Sequence, residues 1–219
     1  MSVFRLIAIL LLATLLAGIG YDLRRRMKSW KAAGDLLLRQ FRDSRHGRGT
    51  AGALSRVRRT AAIVSGGLLL ILALTGFLPV IVLGTHLSGL LLVIHVTAAP
   101  LFAVSLSALA LLWAHRLRLD ESDWQVALGS GKRESHGKDA LVRLALKVGF
   151  WLSLTLSLPL MLTVILSLFP LFGTRGETLL IRLHGYSALL LLMGALGEIY
   201  LIIAYRERIM EQPSKEKNQ

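Results

Sequence analysis

The chain contains no cysteine. That removes disulfides, thiolate-held metals, iron–sulfur clusters and covalently attached c-type haem from its chemistry. It is also short of acid: 13 Asp and Glu stand against 26 Lys and Arg, a formal net charge of +13. No Gly-rich nucleotide loop and no metal-binding motif occurs, so catalysis is expected to reside in another chain. Alternating ten-residue strands are missing, which argues against a transmembrane β-barrel. No low-complexity segment or evident internal repeat is present either.

What the chain has is apolar surface. Hydrophobic residues make up 54% of its 219 positions, more than a soluble domain of this size can bury. The expected class is an all-α integral membrane helix bundle. Five stretches are long and apolar enough to span, roughly 2–20, 61–83, 87–114, 147–171 and 178–204. They suggest an N-terminal transmembrane helix (1–21), a basic loop (22–60), a four-helix membrane domain (56–206) and a short tail (207–219).

The links between spans are unequal. Residues 22–60 carry twelve Lys and Arg against three Asp, while the links near 84–86 and 172–177 are short and almost uncharged. By the positive-inside rule the long basic loops and the C-terminus face the cytoplasm and the N-terminus faces outward. This is the layout expected in a bacterial inner membrane. The first stretch has Arg5 before it and "DLRRRMK" after it, the reverse of a cleavable signal, so a retained span is expected. Within the basic loop, "RRRMKSWKAAGDLLLRQF" interleaves cations with Trp30, Leu36, Leu37, Leu38 and Phe41, a pattern suited to an amphipathic helix on an anionic leaflet. The positive charge is thereby explained without nucleic acid.

Titratable side chains inside a span are costly and mark function. His95 lies six to eight residues into the third stretch and His184 about six into the fifth. Both stretches run in the same direction, so both histidines sit roughly 10 Å below the outer boundary at 1.5 Å per residue. Two neutral imidazoles at one depth on different helices suit the two axial positions of a haem iron. Small residues follow each by one turn, Ala98 and Ala99 after His95, Ser187 and Ala188 after His184, as a flat macrocycle requires; ordinary helix packing favours them too. Arg175 and Arg182 lie near the outer end, placed to meet haem propionates or simply the interface. His86 is nine residues before His95 and on the opposite helical face, and His115 falls at the inner boundary, so neither is expected to share a haem with it. Glu198 follows His184 by fourteen residues, near the same face.

These residues resemble a known pattern. "VIHVTAAPLFAVSLSALALLWAHRLRLDESDW" and "LIRLHGYSALLLLMGALGEIYLII" are similar to the second and fourth helices of the b-type cytochrome subunits of formate dehydrogenase (gamma subunit) and nickel–iron hydrogenase. "TGFLP" (75–79) resembles the end of their first helix and "KVGFW" (147–151) the start of their third. The resemblance spans about 56–205. It implies a four-helix cytochrome b core, here with one extra N-terminal span, and outer-haem ligands at His95 and His184. The inner-haem ligands of that family are absent, since "TAAIV" (60–64) stands at one position and Glu198 at the other. The extra span matches the arrangement of the nitrate reductase gamma subunit, whose two histidines on each of two helices this chain lacks.

The resemblance therefore implies one non-covalent haem b. The expected function is an electron-transfer subunit of an oxidoreductase complex, exchanging electrons between membrane quinone and a partner redox subunit (a multihaem cytochrome c or an iron–sulfur protein) on the outer face. Glu198 is expected in the space of the lost inner haem, either passing protons to or from a quinone or serving as a structural hydrogen-bonding group. A haem-free membrane anchor and a proton-conducting protein are the alternatives.

Overall fold

The computed structural model describes residues 3–26, 50–129, 138–169 and 171–216. Most of the basic 22–60 segment, with its expected amphipathic helix, lies outside the described residues. Among the described residues the chain is all-helical, and five helices are long and apolar enough to cross a membrane. It divides into two compact units, Met1–His115 and Arg116–Gln219.

In the first unit, α1 spans Val3–Arg26, α2 Thr50–Leu78 and α3 Gly89–Trp113. α2 stops at Pro79, which has no N–H to continue the ladder, and one π-helical turn follows over Pro79–Leu83. Gly84 closes it in the left-handed conformation (φ +67°), its N–H bonded to the Pro79 carbonyl. α1 is fastened at this turn. Arg5 Nε donates to Ile81 O at 2.9 Å and a guanidinium Nη to Val82 O at 3.3 Å, so a cation satisfies carbonyls at a helix C-terminus. A Cβ on Gly84 would collide with that guanidinium, which is a second reason for glycine there. Phe4 stacks on Phe77 with ring centroids 6.5 Å apart. The start of α1 and the end of α2 therefore lie at one end of the unit, away from Arg24, Arg25 and Arg56. At that far end Arg58 Nε donates to Leu112 O at 3.0 Å and ties the α2–α3 hairpin together.

In the second unit, a short α4 (Glu121–Leu128) precedes α5 (Lys138–Ser167) and α6 (Gly173–Glu216). α4 starts in a reciprocal capping box: Asp123 N donates to Asp120 Oδ1 at 3.1 Å, and Asp120 N to Asp123 Oδ2 at 2.9 Å. Lys147 on α5 bridges both carboxylates, and Trp151 Nε1 donates to Leu117 O at 2.8 Å. Gly149, Ser153 and Ser157 form a small-residue stripe at four-residue spacing along α5, and Gly194 of α6 approaches Ser153. Small residues of this kind let helix backbones pack closely in lipid, where no hydrophobic force drives them together.

Burial follows the membrane rule rather than the aqueous one. Leu90, Val104 and Leu111 on α3 are 74%, 70% and 85% exposed, while Thr75, Ser157 and Thr163 are buried. Apolar side chains face outward because the solvent there is hydrocarbon, and polar groups turn inward to find partners. Three helices begin earlier than the apolar stretches: α2 at Thr50, α5 at Lys138 and α6 at Gly173. The residues ahead of each apolar stretch include charged ones, Arg56, Arg58 and Arg59 in α2, Lys138 and Asp139 in α5 and Arg175 and Glu177 in α6, so hydropathy marks only the lipid-immersed part of each.

Candidate functional site: two bonded histidines

His95 sits six residues after the start of α3 and is half-buried. Its Nδ1 lies 2.8 Å from Thr75 Oγ1 on α2. The Thr75 hydroxyl has one proton, and Ile71 O accepts it at 2.7 Å. Toward His95 the oxygen is thus the acceptor, and the imidazole carries its hydrogen on Nδ1. In a neutral ring that places the sp² lone pair on Nε2. Gly76 makes the room: a Cβ there would come within 3.1 Å of His95 Cε1.

His184, half-buried on α6, repeats the arrangement. Its Nδ1 lies 3.1 Å from Leu160 O and 3.5 Å from Thr163 Oγ1, both on α5. A carbonyl only accepts, so Nδ1 again donates and the lone pair again falls on Nε2. Thr163 directs its hydroxyl at the Pro159 and Leu160 carbonyls, 2.8 and 2.9 Å away. The pairs span 20 residues (Thr75 to His95) and 21 residues (Thr163 to His184), so the two hairpins place threonine and histidine at nearly the same separation along the chain. Measured from the helix starts the depths differ, six residues against eleven, because α6 gains the polar turn Gly173–Glu177 before the apolar run. His95 belongs to the first unit and His184 to the second.

The remaining expected positions fall as follows. Ala98 is buried beside His95 on α3, with Ala99 half-buried; on α6 Ser187 and Ala188 are half-buried. Arg175 and Arg182 are exposed and, with Thr174, Thr178 and Leu179, line a shallow groove of about 340 Å³. His86 is exposed in the 84–88 loop and His115 exposed in the turn after α3, both outside the helices. Glu198 lies half-buried on α6 against α5. Its Oε1 accepts from Ser153 Oγ at 2.8 Å, and its Cγ would lie 2.9 Å from a Cβ on Gly149. The carboxylate is packed into the small-residue stripe of α5. In the first hairpin, the "TAAIV" stretch borders a groove of about 570 Å³ between α2 and α3, with Arg56, Ser105, Ala108 and Leu112 among its lining; no histidine or acid lines it.

Thr75, Gly76, Leu160, Thr163, Gly149 and Ser153 carry the geometry around the titratable groups. "TGFLP" and "KVGFW" contain three of them, yet their contacts depend on which helix face meets which. A readable signal was the recurring Thr-to-His spacing across the two hairpins. Comparison with protein-family models, with characterised proteins and with solved structures returns no match.

Proposed function

We propose that this chain is a membrane cytochrome b subunit that holds one non-covalent haem b between His95 and His184. It would pass electrons between the quinone pool and a partner redox subunit, a multihaem cytochrome c or an iron–sulfur protein. The observation that carries the reading is the matched pair of imidazoles, each with Nδ1–H tied to an oxygen of the neighbouring helix and its lone pair on Nε2. Histidines that ligate metals characteristically donate their second nitrogen in this way. The residues present fit the group: neutral ligands, small side chains one turn on, and glycine clearance at Gly76.

Bound haem supplies one-electron redox chemistry, and the protein supplies ligation, orientation and electrostatics. Thr75 and the Leu160 carbonyl fix the tautomers. Arg175 and Arg182 are placed to offer cations to propionates. Glu198, with Ser153 as its donor, is the group proposed to exchange protons with a quinone, fourteen residues beyond His184 on α6. The setting is the bacterial inner membrane with the N-terminus outside, supported by the charge asymmetry of the loops.

The test is optical. Purified protein should show a low-spin, six-coordinate b-type spectrum that is lost in both His95→Ala and His184→Ala. An unchanged spectrum in either variant contradicts the ligand assignment, and a wild type without a Soret band leaves the haem-free anchor reading in its place.

A further inference from the structure

The two imidazoles are held by chemically different acceptors. His184 is fixed through a main-chain oxygen, Leu160 O at 3.1 Å, which no side-chain substitution deletes. His95 is fixed through a side chain. Thr75 Oγ1 sits 2.8 Å from its Nδ1 and is itself anchored to the preceding turn at Ile71 O. Thr75 is 7% exposed, so neither hydroxyl contact competes with bulk water. Gly76 sets the ring against α2 from the adjacent position, where a Cβ would reach within 3.1 Å of Cε1. The Nδ1–Cε1 edge of the imidazole is thus seated on α2 by a hydroxyl and by the missing side chain next to it.

We propose that Thr75 is a positioning residue for the His95 ligand: its hydroxyl selects the Nδ1–H tautomer, fixes the ring plane and makes the imidazole a stronger electron donor. The inference rests on the haem reading above. An acceptor on Nδ1–H gives the ring partial imidazolate character and raises the basicity of Nε2. A more basic axial ligand favours the oxidised iron over the reduced iron, so hydrogen bonding around the ligand tunes the potential. Thr163 stands differently toward His184. At 3.5 Å it is a distant second neighbour, and the Leu160 carbonyl persists without it. The same change at Thr75 and at Thr163 should therefore have unequal effects.

The experiment is an equilibrium redox titration of the full chain, purified in detergent with its haem, followed by the reduced α-band. The proteins are wild type, Thr75→Val, Thr75→Ser and Thr163→Val. Losing an outer-shell partner of a ligating histidine changes metal affinity by roughly 10–100-fold. If the lower end of that change falls on the oxidised state, Thr75→Val raises the midpoint potential by about 59 mV, the value of a tenfold change in a one-electron couple. Thr75→Ser keeps the acceptor and should return to the wild-type potential, and Thr163→Val should move much less than Thr75→Val. A purely structural role would lower haem content or stability in Thr75→Val while leaving the potential of the loaded fraction unmoved. An unmoved potential overturns the proposal and leaves the haem assignment standing. A Thr75→Ser shift as large as that of Thr75→Val also overturns it. If Thr75→Val retains no haem, Thr75→Cys replaces it: the thiol accepts weakly, so a smaller upward shift supports the proposal and no shift overturns it. Absence of haem from the wild type overturns this inference and the function reading together.

Discussion

In the α2–α3 hairpin, Thr75 on the first helix meets His95 on the second; in the α5–α6 hairpin, the Leu160 carbonyl and Thr163 meet His184. Near their turns the two hairpins do the same thing with different atoms. Farther from the turns they diverge. Ten to seventeen residues beyond His95, Ser105, Ala108 and Leu112 border an open groove of about 570 Å³. Fourteen residues beyond His184, roughly 21 Å along the helix, Glu198 is bonded to Ser153 and lies against Gly149. The lesson is that the histidine-bearing halves share one constraint, a fixed imidazole, and the far halves do not. One far half holds a groove and the other a carboxylate bonded to a serine.

The comparison can be broken most sharply at Glu198. Glu198→Gln keeps size and hydrogen bonding but carries no exchangeable acid proton. If Glu198 moves protons for a quinone, quinone-linked turnover should fall by roughly 10²-fold, the low end for a general acid–base group, with haem content and assembly unchanged. Turnover equal to wild type across pH would leave Glu198 as a packing residue bonded to Ser153.

A paired substitution separates the two levels next. Gly76→Val and Gly149→Val each force a branched side chain into a close contact, and each should cost about 1–3 kcal/mol in thermal or denaturant unfolding. Only Gly76→Val should also disturb the haem spectrum, because its neighbour is His95 while that of Gly149 is Glu198. Equal spectral effects would erase the distinction between the levels.

Arg5→Ala probes the first unit alone. It removes the donors to Ile81 O and Val82 O at the end of the π-helical turn. A loss on the order of 1–2 kcal/mol is expected, a charge-assisted bond at a helix terminus. Hydrogen exchange should quicken in α1 and at 81–85 and stay unchanged in α5 and α6.

The smallest effect belongs to the loop ahead of α5. The Ser122 hydroxyl, the Lys147 ammonium and the Asp123 N–H hold the Asp120 carboxyl well below the usual carboxylate range. A depressed folded-state pKa means a stabilising contribution that is present above the unfolded value of about 4 and lost as pH falls below it. Amide protection across Glu121–Leu128 should therefore hold from neutral pH to about 4 and drop below it. Asp120→Asn, still able to cap the helix, should flatten that profile. A profile identical to wild type would show that Lys147 and the caps act independently of Asp120 charge.

Much of this architecture is legible in the sequence because lipid imposes a long, uniform apolar requirement on each span. The five spans and the odd titratable groups within them, His95, His184 and Glu198, stand out for that reason. Helix starts are less legible. The Gly173–Glu177 turn and the Lys138 start of α5 are polar, and hydropathy has no view of helix outside hydrocarbon. The Asp120–Asp123 capping box, by contrast, is a local signal readable from spacing alone. The partners of the histidines are not local. Threonine is common in membrane helices, and the choice of Thr75 and Thr163 depends on how two helix faces pair. The π-helical turn is half-legible: Pro79 announces a break, while the π geometry follows from Gly84 and its bond to the Pro79 carbonyl.

The central claim is one haem held by one histidine from each hairpin. It is tested most directly by the ratio of haem to polypeptide in the purified full-length protein, with haem extracted and quantified against amino-acid analysis. The account predicts one acid-extractable b haem per chain. Two haems per chain would require a second ligand pair that the account does not contain, and none would contradict the assignment of His95 and His184 altogether.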